Sequence, residues 1–313
     1  MKRLAVSLLA LICAAACSST TEQQSAESAP AIGRFASANP GSVNTYWLHA
    51  PQGLVVVDTQ RSLTDARAAL AAAGAPIAAV LITHSHPDHV GGVGVFHQAF
   101  PNAPIYAATP VDTAIRTDPL RFYDLTRALP DSDYAPQMTY PDHTFAANAT
   151  IDAAGIQLAT AEFGPGETET ATAYYDPKTQ ALFAGDLVAD KATPALLEGH
   201  SCGWLVDLDR LRTRFPHIRT IYPGHGAPGG PELIDEQRTY LEHFRHLVRA
   251  ALPDGTDLTD DKMNAITAEL SRDYPGYPSV ASLPTMSQEN IKSVAKEIRA
   301  ENPATLPAPC RSS

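Results

Sequence analysis

From about residue 43 onward, short apolar runs alternate with amphipathic stretches along the chain. Val43-Asn44-Thr45-Tyr46-Trp47-Leu48 and Gly53-Leu54-Val55-Val56-Val57-Asp58 predict two strands around the turn Pro51-Gln52-Gly53. A helix is expected from Ser62 to Ala73, started by Ser62 or Thr64 and closed by Gly74. Pro76–Ile82 reads as a buried strand, and Gly91-Gly92 lead into a helix that ends near Phe100-Pro101. Ile105-Tyr106-Ala107 is another short strand, and Thr109–Pro141 is mostly helical or irregular, placed to form part of a substrate wall. Thr144–Phe163 predicts a strand meander turning at Asn148 and Gly155. Ala173-Tyr174-Tyr175 and Ala181-Leu182-Phe183-Ala184 predict a hairpin around Asp176-Pro177-Lys178. A helix near Asp207–Phe215 and a strand Thr220-Ile221-Tyr222 follow. The chain then turns helical over about 231–252 and 287–300, with a Pro- and Asp-rich linker between. The chain thus reads as β-rich, then α, then β-rich, then α, two halves alike in order though not in sequence.

The chain has 313 residues, 44% of them hydrophobic and 18% charged, as expected of a globular protein with one large or two modest domains. Its formal net charge of −11 argues against nucleic acid as a partner, since phosphate binding depends on an excess of Lys and Arg.

The N-terminus changes the picture of where the protein works. Lys2 and Arg3 precede an uncharged apolar run, Leu4–Ala16, too short to span a bilayer, which reads as a signal peptide over residues 1–16. Ala14-Ala15-Ala16-Cys17-Ser18 resembles a lipobox, with Ala14 where Leu is usual. Lipidation of Cys17, the one membrane attachment expected, and ordinary signal-peptidase cleavage are the two readings. The Ser-, Thr- and Glu-rich stretch that follows favours the first, because a lipid anchor needs such a tether, placed over residues 17–36. The protein is therefore expected to be exported, either periplasmic or anchored as a lipoprotein. Cys202 and Cys310 then sit in an oxidising compartment and can pair, tying the C-terminal tail to the body.

The candidate chemistry lies directly after the strand ending at Ile82, in Thr83-His84-Ser85-His86-Pro87-Asp88-His89. Ligands of α/β sheets gather at such carboxyl ends of strands. His84 and His86, two apart, project together from extended backbone. Pro87 turns the chain and points Asp88 and His89 elsewhere, so one loop offers two ligands to each of two metal ions. A two-metal centre takes about seven protein ligands. Asp186, in Phe183-Ala184-Gly185-Asp186, ends a strand and has two oxygens with which to bridge cations. His225 follows another strand between Gly224 and Gly226.

The pattern His84-x-His86-x-Asp88-His89, then Gly185-Asp186, then Gly224-His225-Gly226 resembles the metallo-β-lactamase-fold hydrolases, including their glyoxalase II-like and lactonase-like members. The resemblance covers roughly Val43–Pro228, with Asp58 at the family's early strand-end aspartate. It implies an α+β protein, a four-layer αβ/βα sandwich of two mixed β-sheets over residues 37–228, metals at one sheet edge, and a helical C-terminal extension over 229–313 packed on the core. The sequence departs from the family in one ligand. A third histidine for the first metal usually lies in a Gly-His-Thr/Ser turn, and here the stretch is Phe163-Gly164-Pro165-Gly166-Glu167-Thr168-Glu169-Thr170. Either Glu167 is itself the ligand, giving a His84/His86/Glu167 set, or the first site is weakened and only the Asp88/His89/His225 site fills tightly. The Gly-Pro-Gly and Thr168 around it favour the first reading, with Glu169 a poorer substitute. A carboxylate there weakens Lewis acidity and shifts preference from zinc toward manganese or iron(II).

Cys202 is a competing ligand, since some β-lactamases of the fold use a cysteine in this interval, but Asp186 already fills the bridging role. Among the other histidines, His49, His97, His143, His217, His243 and His246 read as surface or core residues, and His200 as a candidate pocket residue. The implied chemistry is hydrolysis of an ester, lactone or amide bond, β-lactams included, by a metal-activated hydroxide. Two zinc ions are expected, and Asp88 acts as the catalytic residue that orients the nucleophile and passes its proton on. The expected partner is a small-molecule substrate. Two readings from other classes stay open: an iron-dependent oxidoreductase of the same fold, and a non-catalytic binding lipoprotein. No serine nucleophile elbow, phosphate loop or dinucleotide fingerprint is present.

Overall fold

The computed structural model describes residues 32–311 apart from 40, 130, 131, 254, 255 and 282. The expected signal peptide, Cys17 and most of the expected tether lie outside the described residues. Two sheets form the frame. The first has the order β1 (Gly33–Ala36), β2 (Asn44–Ala50), β3 (Gly53–Val57), β4 (Ile77–Leu81), β5 (Ile105–Ala108), β6 (His143–Phe145). β1, β2 and β3 pair antiparallel, and β3 to β6 pair parallel. In the second sheet, β7 (Thr150–Ala153), β8 (Ile156–Phe163), β9 (Ala171–Asp176) and β10 (Ala181–Gly185) run antiparallel, and β11 (Thr220–Pro223) pairs parallel to β10. Both sheets are mixed.

The period-2 alternation of each strand decides the layers. Val55 and Val57 of β3, Ala79 and Leu81 of β4, and Ala181 and Phe183 of β10 fill the space between the sheets, together with Tyr46, Leu158 and Tyr174. Their neighbours Leu54, Val56, Val80 and Ile82 face the other way. They pack on α1 (Leu63–Ala73) through Ala66 and Ala69, on α3 (Val93–Ala99) through Phe96, and on α4 (Thr109–Thr117) through Val111 and Ile115. Leu182 and Ala184 face α6 (Ser201–Arg214) and α7 (Glu232–Ala250). Strands buried on both faces read as near-continuous apolar runs, and each such Val or Leu contributes roughly 1.5–3 kcal/mol by its burial. The expected four layers are thus present.

Helix α1 has the expected ends. The Ser62 hydroxyl accepts from Asp65 N at 3.0 Å, and Gly74 closes the helix at φ 65°.

Four expectations are corrected. Gly33–Ala36, placed in the tether, form β1, because Arg34 and Phe35 find the free edge of β2. The meander over 144–163 is split: β6 joins the first sheet and only β7 and β8 join the second. Helix α6 begins at Ser201 rather than near Asp207, because Glu297 accepts from Ser201 N and Cys202 N at 3.0 and 2.8 Å. That cap comes from 96 residues away along the chain. The linker contains α8 (Asp260–Asp273), capped by Thr259 and buried through Met263, Ile266 and Leu270. Beyond residue 228, Leu233, Leu241 and Phe244 of α7 and Ile291 and Val294 of α9 (Met286–Ala300) belong to the same cluster as β10 and α6. Cys310 is disulfide-bonded to Cys202 and closes this region onto α6.

Candidate metal centre

The carboxyl ends of β3, β4, β10 and β11 meet at one edge of the sandwich, joined by the loop between β8 and β9. After β4 the chain stays extended through His86, and Pro87 then opens a one-turn helix, α2 (Pro87–Val90). Proline at a first helical position loses nothing, because that N–H has no intrahelical partner. Asp88 and His89 therefore sit on a helical turn while His84 and His86 precede it.

All seven candidate ligands converge, in two groups whose ligand atoms lie within 4.8 Å of one another: Asp88, His89, Asp186 and His225, and His84, His86 and Glu167. In the first group His89 Nε2 is 3.3 Å from Asp186 Oδ1 and 3.8 Å from Asp88 Oδ2. His225 Nε2 is 3.1 Å from Asp88 Oδ2 and 3.2 Å from Asp186 Oδ2. In the second, His86 Nδ1 is 2.9 Å from Glu167 Oε1 and His84 Nε2 is 3.5 Å from Glu167 Oε2. Glu167 thus occupies the position expected of a third histidine.

Groups behind the ligands fix their orientation. Asp58 Oδ2 accepts from His89 Nδ1 at 2.8 Å, while both Asp58 oxygens accept from Thr83, at N (2.9 Å) and Oγ1 (2.8 Å). That leaves His89 Nε2 for the centre. Glu198 does the same for His86, 3.0 Å from its Nε2, so that Nδ1 faces Glu167. Glu198 escaped the sequence reading because it stands in an irregular stretch with no neighbouring ligand motif. Gly224 is required by space: a Cβ there would come 1.9 Å from Asp186 Oδ1. The Glu167 turn is anchored to α6 by Asp207, whose Oδ2 accepts from Gly164 N at 2.8 Å.

Burial and charge act against each other across the centre. Burial lowers His84 well below its usual range, and His89 and His86 beside it lower it further. Burial also disfavours the charged forms of His86, His89 and His225, but facing carboxylates outweigh it. Glu167 and Glu198 hold His86 well above its ordinary value, Asp58 and Asp186 do so for His89, and Asp186 and Asp88 bring His225 to about 10. Burial raises Glu167 to about 7, against the pull of His86. Asp186 and Asp88 are raised by burial but lowered more by His89 and His225, so both carboxyls titrate below the ordinary range.

The donor set fits divalent cations. His84 Nε2, His89 Nε2, Asp186 Oδ1 and both Glu167 oxygens are buried and lack a well-aligned hydrogen bond, although Glu167 Oε1 stands close to His86. Buried polar atoms are rarely left so, and five gathered in these two ligand groups fit bound cations. Other candidates fall elsewhere. Cys202 is consumed by its disulfide and is no ligand. His200 stands at the start of α6, 3.5 Å from Glu169, and does not line the pocket over the centre. His243 lies near Glu269 and Asp273, but Arg272 already pairs with both carboxylates.

Two mixed sheets packed face to face, with a histidine–carboxylate centre at one edge, define the class: an α+β sandwich built to hold metal at its strand ends. The chain belongs to the metallo-beta-lactamase superfamily, whose family model matches residues 38–225. It is 24% identical over 279 residues to a beta-lactamase-like protein 2 homolog of Caenorhabditis elegans, covering 86% of this chain and 84% of that one. It is 29% identical to a hydroxyacylglutathione hydrolase of Thermosynechococcus vestitus, a match that spans 58% of this chain and 62% of the enzyme. A beta-lactamase domain protein from Burkholderia ambifaria superposes with a TM-score of 0.65 at 16% identity, covering 86% of each chain.

Proposed function

We propose that the protein is an exported, metal-dependent hydrolase that cleaves an ester, lactone or amide bond of a small molecule. The convergence of five buried ligand atoms that lack a well-aligned hydrogen bond carries this reading. His84, His86 and Glu167 would hold one cation, Asp88, His89 and His225 the other, with Asp186 shared. Bound there, divalent ions polarise a carbonyl and make water nucleophilic near neutral pH. Zinc fits the histidines, and Glu167 extends the range toward manganese and iron(II).

Asp88 is the catalytic residue. It lines the pocket, and as a carboxylate ionised at neutral pH it can accept the proton of the attacking water and deliver it to the leaving atom. His225 at 3.1 Å and the α2 turn hold that carboxylate in place. Asp58 and Glu198 fix which nitrogens of His89 and His86 face the centre. The disulfide supports export, since such bonds persist in oxidising compartments.

Metal per chain, measured by plasma mass spectrometry on natively purified protein, is expected to be two, and one in Glu167→Ala. A panel of nitrocefin, homoserine lactones and aryl esters, assayed with zinc, manganese and iron, should show turnover on at least one bond class. Full metal loading without turnover on any of them would overturn the hydrolase reading.

A further inference from the structure

Apart from Arg61 and Thr126, the polar side chains that line the pocket over the centre are ligands or, like Glu198, support one. Its walls are apolar: Phe122, Leu125 and Leu129 from α5 (Phe122–Arg127) and just after it, Leu197 from the loop before α6, and Val280 and Leu283 from the segment before α9. The Phe122 ring stands edge-on to His86 at 5.5 Å, so the apolar wall begins where the ligands end. Leu125 lines this pocket and is 59% exposed, so its side chain is open to an apolar group bound there.

One lysine or arginine lines this pocket, Arg61. Among the described residues its guanidinium forms no hydrogen bond or ion pair. Asp65 and Asp133, which border the adjoining hollow with it, stay beyond ion-pairing distance. Arg61 is also held with care. Gln60 before it has φ 77° and Asp58 has φ 57°, left-handed conformations that cost a non-glycine residue free energy. The Asp58 strain positions the carboxylate behind His89. The Gln60 strain is secured by its own buried amide, which donates to Val43 O at 2.6 Å and Thr45 Oγ1 at 2.9 Å and accepts from Ser42. Thr59 N and Oγ1 donate to His89 O at 3.0 and 2.8 Å, and Gly92 N donates to Gln60 O at 2.9 Å. A Cβ at Gly91 would lie 2.3 Å from Arg61 O. The backbone that presents Arg61 is therefore locked to the turn that presents Asp88 and His89.

A strained, clamped segment that delivers one unpaired guanidinium to an apolar pocket is a recognition device. We propose that the substrate is a carboxylate-bearing amphiphile, its carboxylate paired with Arg61 and its hydrocarbon part laid on the Phe122–Leu125 and Leu197–Leu283 walls. The planar fork of arginine takes a carboxylate through two parallel hydrogen bonds, which fixes orientation as well as adding affinity. The carboxylate is then a handle, distinct from the bond that is cleaved. This inference rests on the hydrolase reading for its meaning as specificity, but the pairing with Arg61 does not need turnover.

The test uses the metal-loaded full chain and two arms. In the first, kcat/KM is compared for the 4-nitrophenyl monoester of octanedioic acid and for neutral 4-nitrophenyl octanoate. Wild type should prefer the carboxylate ester by about tenfold, the effect of one charge-assisted pair, through KM rather than kcat. Arg61→Gln should bring the ratio to about one, and Arg61→Lys should restore part of it. In the second arm, calorimetry compares N-octylsuccinamate with N-octylbutanamide, with the same loss of preference expected in Arg61→Gln and weaker binding of both in Leu125→Ser. A wild type with no preference, or a preference that survives Arg61→Gln, overturns the proposal while leaving hydrolysis intact. Binding preference in the second arm without turnover on either ester keeps the Arg61 assignment, and the hydrolase reading falls only if the nitrocefin and lactone panel is also silent.

Discussion

The two ligand groups of the centre are built from different materials. Asp88, His89, Asp186 and His225 stand on strand ends and on the α2 turn, with two carboxylates facing two histidines and Asp58 buried at 2% exposure behind His89. His84, His86 and Glu167 have one carboxylate to two histidines. They lean on the Gly164–Thr168 turn and on Glu198, both outside regular structure. The lesson is one of rigidity. The first group inherits its geometry from the hydrogen-bonded frame of both sheets, whereas in the second only His84, bridged to Ala171 of β9, is tied to that frame, and His86 and Glu167 are shaped by loops that α6 and α9 hold in place.

Five experiments would break or sharpen that contrast. Asp88→Asn should lower kcat by roughly a thousandfold or more, since it removes the proton acceptor and a ligand of the better-framed group. Steady-state kinetics check this, and near-normal turnover would remove Asp88 from the mechanism. Asp58→Asn should weaken metal affinity of its group by roughly 10–100-fold, read by competition with a chromogenic chelator. Glu198→Gln, acting on the loop-borne group, should cost less, because an amide oxygen still accepts from His86; an effect equal to that of Asp58→Asn would erase the contrast. The smallest shift concerns protons. His86, His89 and His225 titrate above their ordinary value, so at pH 7 they must shed protons to ligate, and metal binding should release protons and strengthen as pH rises. Buffer-dependent calorimetry measures this. For chelator-stripped protein the sign reverses. His225, raised to about 10, stabilises the fold fully below about 6.5 and loses that contribution as pH rises toward about 10, so the melting temperature should fall across that window.

Six of the ligands were legible in the sequence because their signals are local: His84, His86, Asp88 and His89 share one loop, and Asp186 and His225 each follow an apolar run and a glycine. Glu167 could be located only by the turn around it, and its partnership with His84 and His86 is a product of tertiary packing. Glu198 carried no local signal, and its role arises from the approach of two loops 112 residues apart in sequence. The same physics governs the fold. The ends of α1 follow from Ser62 and Gly74, but the first turn of α6 depends on Glu297, and α8 was hidden by the prolines around it although Met263, Ile266 and Leu270 mark one face. Local chemistry announces itself, and caps borrowed from distant helices do not.

The Cys202–Cys310 bond joins residues 108 apart, and the ring it closes contains His225, α7, α8, α9 and the Val280–Leu283 wall of the pocket. A single protease cut anywhere inside that ring leaves both fragments on one molecule, with the pocket roof still tethered to the helix beneath the Glu167 turn. Damage there would show as two bands only after reduction, and a nicked molecule could still be held together long enough to keep its centre assembled.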